Sequence, residues 1–341
     1  MELWPKLVLN LAKLKHNTEV IAGMVGQAGG TVFGVTKVVG GDPRCARAML
    51  AGGASGIADS RLENIRRLRG AGIDAPILLL RSPALSEVGE VVRLADFSLV
   101  SDRTVLKALD REAALAGVVH RIIIMTDLGE GREGVAPQDL PDLAAFARGL
   151  INLKLVGIGT NFACLNKAWP SVAKLKALVG LYQKVDDGSM AYLSGSNSSS
   201  LHLLLNGQWR PPLLAINHWR VGESIFLGWD LVTKSPLPGC YQDVCRLELE
   251  VIEARREVVR MRPAARILLA GGTEEIGCGR VSPVDPAIKI TGVSSDHLVA
   301  FIEGEHTIEV GSSLAFSLDY QALLAAANST YVKVEYKDRL S

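Results

Sequence analysis

Charged and hydroxyl side chains follow the predicted strands of this chain at the points where the strands end. A lysine that loses its proton can attack a carbonyl carbon, and arginines and serine hydroxyls bind anions. The set therefore indicates a site for a cofactor that carries both a carbonyl group and a phosphate. Its members are Lys37, Asp59, Arg81, Ser101, Asp127, Arg132, Thr160, Asn161, residues 194–200 and Arg220.

Two parts of this set also have simpler explanations. A lysine at a strand end can extend its ammonium into water, and the serine-rich residues 194–200 can form a flexible loop. That turn comes directly after a predicted strand and before the helix-like residues 201–205. Anions bind at helix amino ends, and phosphate sites are frequent near the last two strands of barrels. This position favours the phosphate site.

A repeating alternation of strands and helices must position these side chains. The strand-like segments are residues 31–37, 55–59, 76–80, 97–100, 121–126, 154–160, 190–194 and 214–220. The helix-like segments between them include residues 43–51, 61–70, 102–116, 138–148 and 169–185. The strands are continuous apolar runs, as expected when both faces of a parallel sheet are covered. Eight such units over roughly 200 residues predict a closed (β/α)8 barrel rather than an open sheet.

The alternation of strand-like and helix-like segments stops after Gly228. Pro236, Pro238 and Gly239 form a break, and strand-like segments without obvious crossover helices follow it: residues 245–253, 266–269, 298–302, 307–310, 313–318 and 331–336. This pattern predicts a smaller, mainly antiparallel β domain. The predicted domains are residues 1–230 and 231–341. An opening strand at residues 7–11, followed by a helix at 12–27, is expected to pair with the β domain.

Composition argues against several classes of function. The 37 basic and 36 acidic residues give a net charge of +1, which predicts no nucleic-acid partner and no anionic membrane surface. No signal-peptide core or membrane-length apolar run occurs, so a soluble cytoplasmic protein is expected. The five cysteines and six histidines show no metal-ligand spacing, and no metal is expected. Residues 129–134 spell GxGxxG, but they follow the fifth strand and do not lead into a helix, unlike a dinucleotide-binding fingerprint.

Several motifs in order along the chain resemble the alanine racemase family, fold type III of the pyridoxal 5'-phosphate enzymes, and its ornithine/alanine racemase-like branch in particular. The motifs span nearly the whole chain. They are Val35-Thr36-Lys37, Gly56-Ile57-Ala58-Asp59-Ser60, residues 126–134, Gly159-Thr160-Asn161-Phe162-Ala163-Cys164, residues 194–200, Asn217-His218-Trp219-Arg220-Val221-Gly222-Glu223 and Ser294-Ser295-Asp296-His297-Leu298.

The resemblance implies a role for each matching residue. Lys37 would hold pyridoxal phosphate as an internal Schiff base, and Arg220 would face the pyridine nitrogen and make the ring a weaker electron sink. Arg132 would lie near the phenolic oxygen, and Asn161 over the ring, where the ornithine-type branch has asparagine. The residues matching phosphate-binding positions are Ser196, Ser198, Gly222, Glu223 and Tyr320.

The resemblance also implies a head-to-tail homodimer with shared active sites. The β domain of one subunit would complete the other's site, and residues 295–297 resemble the loop that reaches the substrate carboxylate. Racemisation with two bases needs an acid/base opposite the lysine, but residues 253–263, where the family has a tyrosine, contain none. The candidates elsewhere are His297, Asp296, Cys278 and Tyr241.

The expected function is a racemase that interconverts L and D forms of a small amino-acid substrate, of the ornithine, lysine or alanine type, through an α-carbanion. Two alternatives stay open at this stage. One is a non-catalytic carrier or regulator that binds pyridoxal phosphate, suggested by the missing tyrosine. The other is a different α-carbon reaction on the same fold, such as decarboxylation.

Overall fold

The computed structural model describes residues 4–165, 168–259, 262–303 and 308–340. Its strands are β1 (Lys6–Asn10), β2 (Thr31–Val35), β3 (Gly56–Asp59), β4 (Ile77–Leu79), β5 (Phe97–Val100), β6 (His120–Met125), β7 (Leu153–Gly159), β8 (Tyr192–Ser194), β9 (Ser196–Asn197), β10 (His218–Val221), β11 (Cys245–Val259), β12 (Arg262–Ala270), β13 (Val281–Pro283), β14 (Ile288–Val293), β15 (His297–Glu303), β16 (Ser313–Leu318) and β17 (Lys333–Lys337). Its α-helices are α1 (Leu11–Gln27), α2 (Pro43–Ala51), α3 (Leu62–Gly70), α4 (Val88–Leu94), α5 (Arg103–Ala116), α6 (Leu140–Arg148), α7 (Val172–Val185), α8 (Leu201–Leu205), α9 (Glu223–Leu227), α10 (Thr273–Ile276) and α11 (Tyr320–Asn328).

The parallel strands form a barrel. Strands β2 to β8 pair in chain order, β10 pairs with β2, and β9 pairs with β10. Gly195 alone separates β8 from β9, so the two short strands act as one barrel strand. Strand β8 pairs with β7 and strand β9 pairs with β10, which closes the ring. The predicted (β/α)8 barrel is confirmed, with strand and helix bounds within a few residues of those expected.

Two apolar cores hold the barrel together. Inside the barrel, Phe33, Leu78, Phe97, Ile123 and Met125 belong to a buried cluster that fills the interior. Outside it, the other faces of the strands pack against the surrounding helices in a larger cluster that continues into the β domain. Burial on both faces explains why the strands are continuous apolar runs.

Helix starts are encoded locally. The side chain of Asp42 accepts hydrogen bonds from the backbone N–H groups of Arg44 (2.8 Å) and Cys45 (3.0 Å), and Pro43 occupies the first helical position of α2. Asp102 and Ser171 cap α5 and α7 in the same way. Each cap of this type contributes about 1 kcal/mol. The helix predicted at residues 43–51 coincides with α2, and this cap fixes where it begins.

The second domain is an antiparallel sheet in the order β13-β16-β11-β12-β15-β14. Strand β1 joins it, antiparallel to β11 and parallel to β17. Strand β14 and helix α11 were not predicted. Of the predicted strand 307–310, residues 308–310 are not a strand and residue 307 lies outside the described residues, as do residues 260 and 261 of the segment without a tyrosine.

No helix in the described ranges is long and apolar enough to cross a membrane. No group of three or more His, Cys, Asp or Glu side chains there is arranged to hold a metal ion.

Candidate active site

A cavity of about 920 Å³ opens at the carboxyl ends of the barrel strands. Loops after the strands line most of it, and helix α11 of the β domain covers one side. Because the ends of parallel strands meet at one edge of a barrel, polar residues far apart in sequence come together here. Its polar and charged lining residues include Lys37, Arg61, Asn64, Arg81, Arg132, Glu133, Asn161, Cys164, Ser198, Ser199, Arg220, Glu223, Tyr320 and Asn328.

Lys37 lies in the short 3₁₀ turn that follows β2. Its side chain is half-buried, and its Nζ lies 5.9 Å from the centroid of the Tyr320 ring. The described residues provide no carboxylate within ion-pair distance of this amine. Gly40 ends the turn with φ of +59°, a left-handed conformation that glycine adopts without strain. The amine is thus presented to the cavity without a fixed counter-ion.

Asp59 is near Lys37 in the barrel but has a structural role. It is fully buried, and its carboxylate accepts hydrogen bonds from Thr36 Oγ1 (2.8 Å), Asn64 Nδ2 (2.9 Å) and the backbone N–H of Arg61 (3.1 Å). Burial raises its pKa, and these hydrogen bonds partly oppose the rise. Asp59 does not line the cavity, but its bond to Thr36 fixes the residue before Lys37.

Arg220 forms part of the floor of the cavity. It is 6% exposed, and its hydrogen-bond acceptors are all neutral. Its Nη1 donates to the carbonyl oxygen (3.0 Å) and the hydroxyl of Ser194, and its Nη2 donates to the carbonyl oxygen of Thr160 (2.7 Å). A guanidinium has five N–H donors, so two remain without an acceptor among the described residues. Burial lowers the pKa of Arg220 to about 10.

Ser194 connects Arg220 to a buried histidine. The Ser194 hydroxyl lies 2.7 Å from Nδ1 of His218, which is 1% exposed and packs edge-on against Phe33 at a centroid distance of 4.6 Å. Burial, together with the positive charge of Arg220, lowers the pKa of His218 to about 3. The ring is therefore neutral near pH 7, and its Nδ1 can accept the Ser194 hydroxyl proton while the Ser194 oxygen accepts from Arg220.

The serine-rich turn is ordered by hydrogen bonds rather than flexible in this structure. Asn197 accepts from the backbone N–H of Ser199 (2.9 Å) and donates to the carbonyl oxygen of Phe162 (2.8 Å). The Ser198 hydroxyl accepts from the backbone N–H groups of Gly222 (3.4 Å) and Ser224 (3.3 Å). Ser198 and Gly222 line the cavity. The turn after β9 and the turn after β10 thus form one unit.

Four polar side chains in or next to this unit have no hydrogen-bond partner among the described residues. They are the buried hydroxyls of Thr160, Ser196 and Ser200 and the amide nitrogen of Asn161. Asn161 lines the cavity, whereas Ser196, at 1% exposed, lies beneath its surface. Buried polar atoms without partners are uncommon in folded proteins.

The rim of the cavity carries a second arginine. Arg132 is partly exposed and pairs with the carboxylate of Glu133, and both line the cavity. This carboxylate raises the pKa of Arg132 against the effect of partial burial. The neighbouring Asp127 does not line the cavity; its carboxylate caps the loop by accepting from the N–H groups of residues 129–131 at 2.7–3.0 Å.

Glu130 anchors the loop that follows β7. It is 2% exposed, and its carboxylate accepts from the backbone N–H groups of Cys164 (2.7 Å) and Leu165. Ala163 has φ of +59°, a left-handed conformation that is uncommon for a residue with a side chain. This loop places the Cys164 thiol at the cavity.

Glu223 and Tyr320 lie on the Lys37 side of the cavity. Burial raises the pKa of Glu223, and the positive charges of Lys234 and Lys37 oppose the rise. Burial and the nearby Glu223 carboxylate raise the pKa of the Tyr320 hydroxyl. No described side chain forms an ion pair with Glu223, so the cavity holds a carboxylate that is available to a ligand.

The residues named as candidates for the second acid/base do not line this cavity. Asp296 and His297 lie in a tight turn of the β domain, where the backbone N–H of Ser294 donates to the His297 carbonyl oxygen at 2.8 Å. Cys278 is exposed. Tyr241 packs edge-on against His16 at 5.0 Å. Within one chain, the structure does not bring any of the four to Lys37.

Sequence reasoning missed several residues that line or support the site. Cys164, His218 and Glu133 were given no role, although all three stand inside the quoted motifs. Their position within a motif was the only signal.

Comparison with known proteins agrees with this geometry. The family model described as "Alanine racemase, N-terminal domain" matches residues 9–228. The chain belongs to the alanine racemase family. Residue 9 lies in β1 and residue 228 directly follows α9, so the match covers the whole barrel with the residues around Lys37 and Arg220.

Similarity to two relatives extends over the entire chain. The lysine racemase of Thermotoga maritima is 31% identical over 98% of this chain and 99% of its own length. The ornithine racemase of Acetoanaerobium sticklandii is 29% identical over the same shares. The similarity therefore includes the β domain.

Solved structures support the fold alone. The alanine racemase of Clostridium difficile 630 in complex with cycloserine aligns with a TM-score of 0.77 at 16% identity, covering 100% of this chain and 97% of that one. The D-threonine aldolase of Filomicrobium marinum aligns with a TM-score of 0.75 at 16% identity, covering 95% and 89%. Since the same fold carries both names, the fold does not decide the reaction.

Proposed function

We propose that the protein is a pyridoxal 5'-phosphate-dependent amino-acid racemase that acts on a basic amino acid such as lysine or ornithine. The observation that carries the proposal is full-length similarity to a lysine and an ornithine racemase. A second observation supports it: Lys37 and Arg220 line the same cavity. The relatives' names and this cavity favour racemisation over a carrier role or a decarboxylation.

The residues present fit the proposed cofactor. Lys37 offers an amine without a fixed counter-ion, and Arg220 has two N–H donors without an acceptor in the described chain. Asn161 carries a buried amide nitrogen that also lacks a partner. These are the donors that a planar, anionic aldehyde with a ring nitrogen would use. Bound there, pyridoxal phosphate would withdraw electrons from the substrate's α-carbon and so acidify its C–H bond.

The chain's own residues would do the remaining work. The Lys37 Nζ would hold the cofactor covalently and take or return a proton at the substrate's α-carbon. Arg220, held from behind by Ser194 and Thr160, would direct a fixed N–H toward the cofactor's ring nitrogen. Arg132 at the rim would meet the phenolic oxygen.

The phosphate would lie against the unit formed by the turns after β9 and β10. Ser198, the backbone N–H groups of Gly222 and Glu223, and the Tyr320 hydroxyl are the proposed donors. Ser196 belongs to the same proposal, although it lies beneath the cavity surface. The Glu223 carboxylate would have to turn away from the phosphate or be protonated.

A basic substrate suits the acidic groups of the cavity. Glu223 has no ion-pair partner in the described residues and lies within electrostatic reach of Lys37. A distal ammonium of lysine or ornithine would be attracted to such a carboxylate. Alanine has no such group, and we expect it to be the poorer substrate.

The proposal includes a head-to-tail homodimer in the cytoplasm. Asp296 and His297 would reach the partner's site, so each site would use two chains. Mixing Lys37→Ala chains with His297→Ala chains tests this arrangement. If the sites are shared, hybrid dimers contain one site with neither change, and activity returns on mixing; a monomer in solution, or no recovery from two inactive variants, would contradict it.

The decisive experiment incubates the purified protein and pyridoxal phosphate with single L-amino acids in deuterated water. Racemisation gives the D form with deuterium at the α-carbon, whereas a carrier gives no exchange and a decarboxylase releases gas. Lys37→Ala should abolish conversion and the covalent fixation of cofactor by borohydride. A Lys37→Ala protein that borohydride still labels would show that another lysine holds the cofactor.

A further inference from the structure

Moving the α-proton to the opposite face of a substrate requires a second group opposite Lys37. In the described part of the cavity lining, the side chains other than lysine and arginine that can transfer a proton are Glu133, Cys164, Glu223 and Tyr320. The position of each group around the barrel helps to decide which of them can act opposite Lys37.

Three of these groups are unsuited to the task. Glu133 is held in an ion pair with Arg132. Glu223 follows β10, the strand directly beside β2, and lies within electrostatic reach of Lys37, so it is on the same side as the lysine. Tyr320 also faces Lys37, with its ring centroid 5.9 Å from Nζ, and its hydroxyl pKa is raised by burial.

Cys164 has the remaining position. It follows β7, and Lys37 follows β2. In the closed ring, two strands stand between β7 and β2 on one side and four on the other, so the loop that carries Cys164 begins on a part of the mouth away from β2.

The loop carrying Cys164 is fixed from both sides. The buried Glu130 carboxylate binds its backbone N–H at 2.7 Å, and Asn197 binds the Phe162 carbonyl oxygen at 2.8 Å. The thiol itself makes a weak contact of 3.5 Å with that carbonyl oxygen. Fixed backbone and a lightly held side chain are what a proton-transfer group needs.

The cavity next to the thiol is built for a ligand. Arg220, 6% exposed, has two N–H donors without a described acceptor, and Asn161, three residues before Cys164, has a buried amide nitrogen without one. Electrostatic interaction with Cys164 contributes to raising the pKa of Arg132, so the thiol and the rim arginine lie within reach of each other.

We propose that the Cys164 Sγ is the second proton-transfer group, acting on the face of the substrate's α-carbon opposite Lys37. The proposal rests on the proposed racemase function and assigns to Cys164 the step for which the sequence suggested Asp296 or His297.

The proton balance is simple. In one direction the Lys37 amine takes the α-proton and the Cys164 thiol gives its proton to the other face, which leaves an ammonium and a thiolate. In the opposite direction the thiolate takes the α-proton and the ammonium returns one. No oxidant is needed. A turnover in the opposite direction restores both groups, and before a second turnover in the same direction the ammonium gives a proton to water and the thiolate takes one from water.

The first test separates the two half-reactions in Cys164→Ser and Cys164→Ala, with Cys278→Ser as the control for loss of a thiol elsewhere. His297→Asn is measured beside them as the rival assignment, because His297 is proposed to reach the partner's site. We expect both Cys164 variants to lose racemisation by about 10²–10⁴-fold. Their Lys37 should still exchange the α-proton of one enantiomer with deuterated water, with retention of configuration. The other enantiomer should not exchange. Two substitutions of different size guard against a result caused by misfolding, and the surviving half-reaction reports an intact site.

The second test measures the thiol directly. The holoprotein is treated with iodoacetamide, and labelling of Cys164 and of the exposed Cys278 is followed by mass spectrometry with and without L-ornithine or L-lysine. We expect the amino acid that is racemised to slow labelling of Cys164 at least fivefold and to leave Cys278 unchanged. Unslowed labelling of Cys164 would place its thiol outside the substrate site and overturn the proposal.

The outcomes distinguish this inference from the proposed function. A wild-type protein that does not racemise any amino acid overturns the proposed function itself. A wild-type racemase whose Cys164 variants work at near wild-type rates overturns the assignment of Cys164 alone. Loss of one half-reaction in His297→Asn instead would assign the step to the partner's β domain.

Discussion

The floor and the rim of the cavity hold their arginines in opposite ways. On the floor, Arg220 is 6% exposed and bonded only to neutral oxygens of Ser194 and Thr160. On the rim, Arg132 is partly exposed and paired with the Glu133 carboxylate. A buried cation without a carboxylate destabilises the folded protein, whereas an exposed ion pair contributes little either way.

The difference shows which group is reserved for a ligand. Because no described carboxylate is hydrogen-bonded to Arg220, its charge and its two N–H donors without a described acceptor remain available at the floor. Burial lowers the pKa of Arg220 to about 10 and, together with the charge of Arg220, lowers that of His218 to about 3. The rim arginine has its charge compensated within the protein.

Acid should destabilise the folded protein through the buried His218 beneath the floor. The pKa of His218 is about 3 in the folded protein and 6.5 as its ordinary value, so between these values the unfolded chain binds more protons. Stability is therefore lost as the pH falls, by about 2 kcal/mol between pH 6.5 and pH 5 for this residue. Urea unfolding of wild type and His218→Asn from pH 8 to pH 5 measures the effect. We expect a shallower pH dependence in the variant.

His120 provides a matched control for that prediction. It is also buried, with its Nε2 2.8 Å from the Ser98 hydroxyl, and burial lowers its pKa to about 4. It lies at the start of β6, away from the cavity. His120→Asn should flatten the pH dependence similarly without altering cofactor binding. Equal slopes in wild type and both variants would contradict the assigned protonation states.

Removing the buried charge should stabilise the protein without its cofactor. Arg220→Gln keeps an amide donor for the Thr160 or Ser194 oxygen and removes a cation whose pKa is lowered by burial. We expect the free energy of unfolding of the apoprotein at pH 7 to rise by about 1–2 kcal/mol, since relief from desolvation exceeds the lost hydrogen bonds. Urea unfolding measures it, and a fall of that size would show that the neutral acceptors fully compensate the charge.

Cutting the connection between Arg220 and His218 should have a smaller effect. Ser194→Ala removes the hydroxyl that lies between them and leaves the carbonyl acceptor in place. We expect a loss of about 1 kcal/mol in unfolding free energy. The absorption spectrum of bound pyridoxal phosphate should also shift relative to wild type, because Arg220 would be less firmly oriented. An unchanged spectrum would argue against an orienting role for Ser194.

The rim should tolerate change best. Glu133→Gln removes the charge that pairs with Arg132, and partly exposed pairs contribute about 0–1 kcal/mol. We expect a change within about 0.5 kcal/mol in urea unfolding at moderate salt. A loss as large as that of Ser194→Ala would remove the contrast between rim and floor.

The barrel could be predicted from the sequence because its signals are local and repeated. Apolar runs predicted all eight strand positions. Caps such as Asp42-Pro43 fix where the helices between the strands begin. The β domain was harder. Strand β14 is exposed on alternate residues and is interrupted at Gly292, and helix α11 is a short alanine-rich run that offered no strong periodic pattern.

The site residues that could be predicted are those at the carboxyl ends of the strands and those, such as Tyr320, that match the family's motifs. Lys37, Arg132, Asn161, Ser198, Arg220 and Tyr320 were all named from the sequence and all line the cavity. Asp59 and Asp127 were included for the same reason but cap turns, because a carboxylate that binds backbone N–H groups looks no different in sequence. The positions of Cys164 and His218 depend on loop geometry and on packing inside the barrel, which no residue spacing reveals.

The pairing of β1 has a consequence for how the chain is made. Lys6 pairs with Glu248 and with Lys333, so the first strand has no partner until β11 has been made, and its second edge stays open until β17 has left the ribosome. Contacts between such distant segments form slowly, because a long loop must close first. The barrel strands, by contrast, pair mostly with their neighbours in sequence and can assemble during synthesis. A chain shortened before residue 333 would therefore leave the edge of β1 open to pairing with other chains.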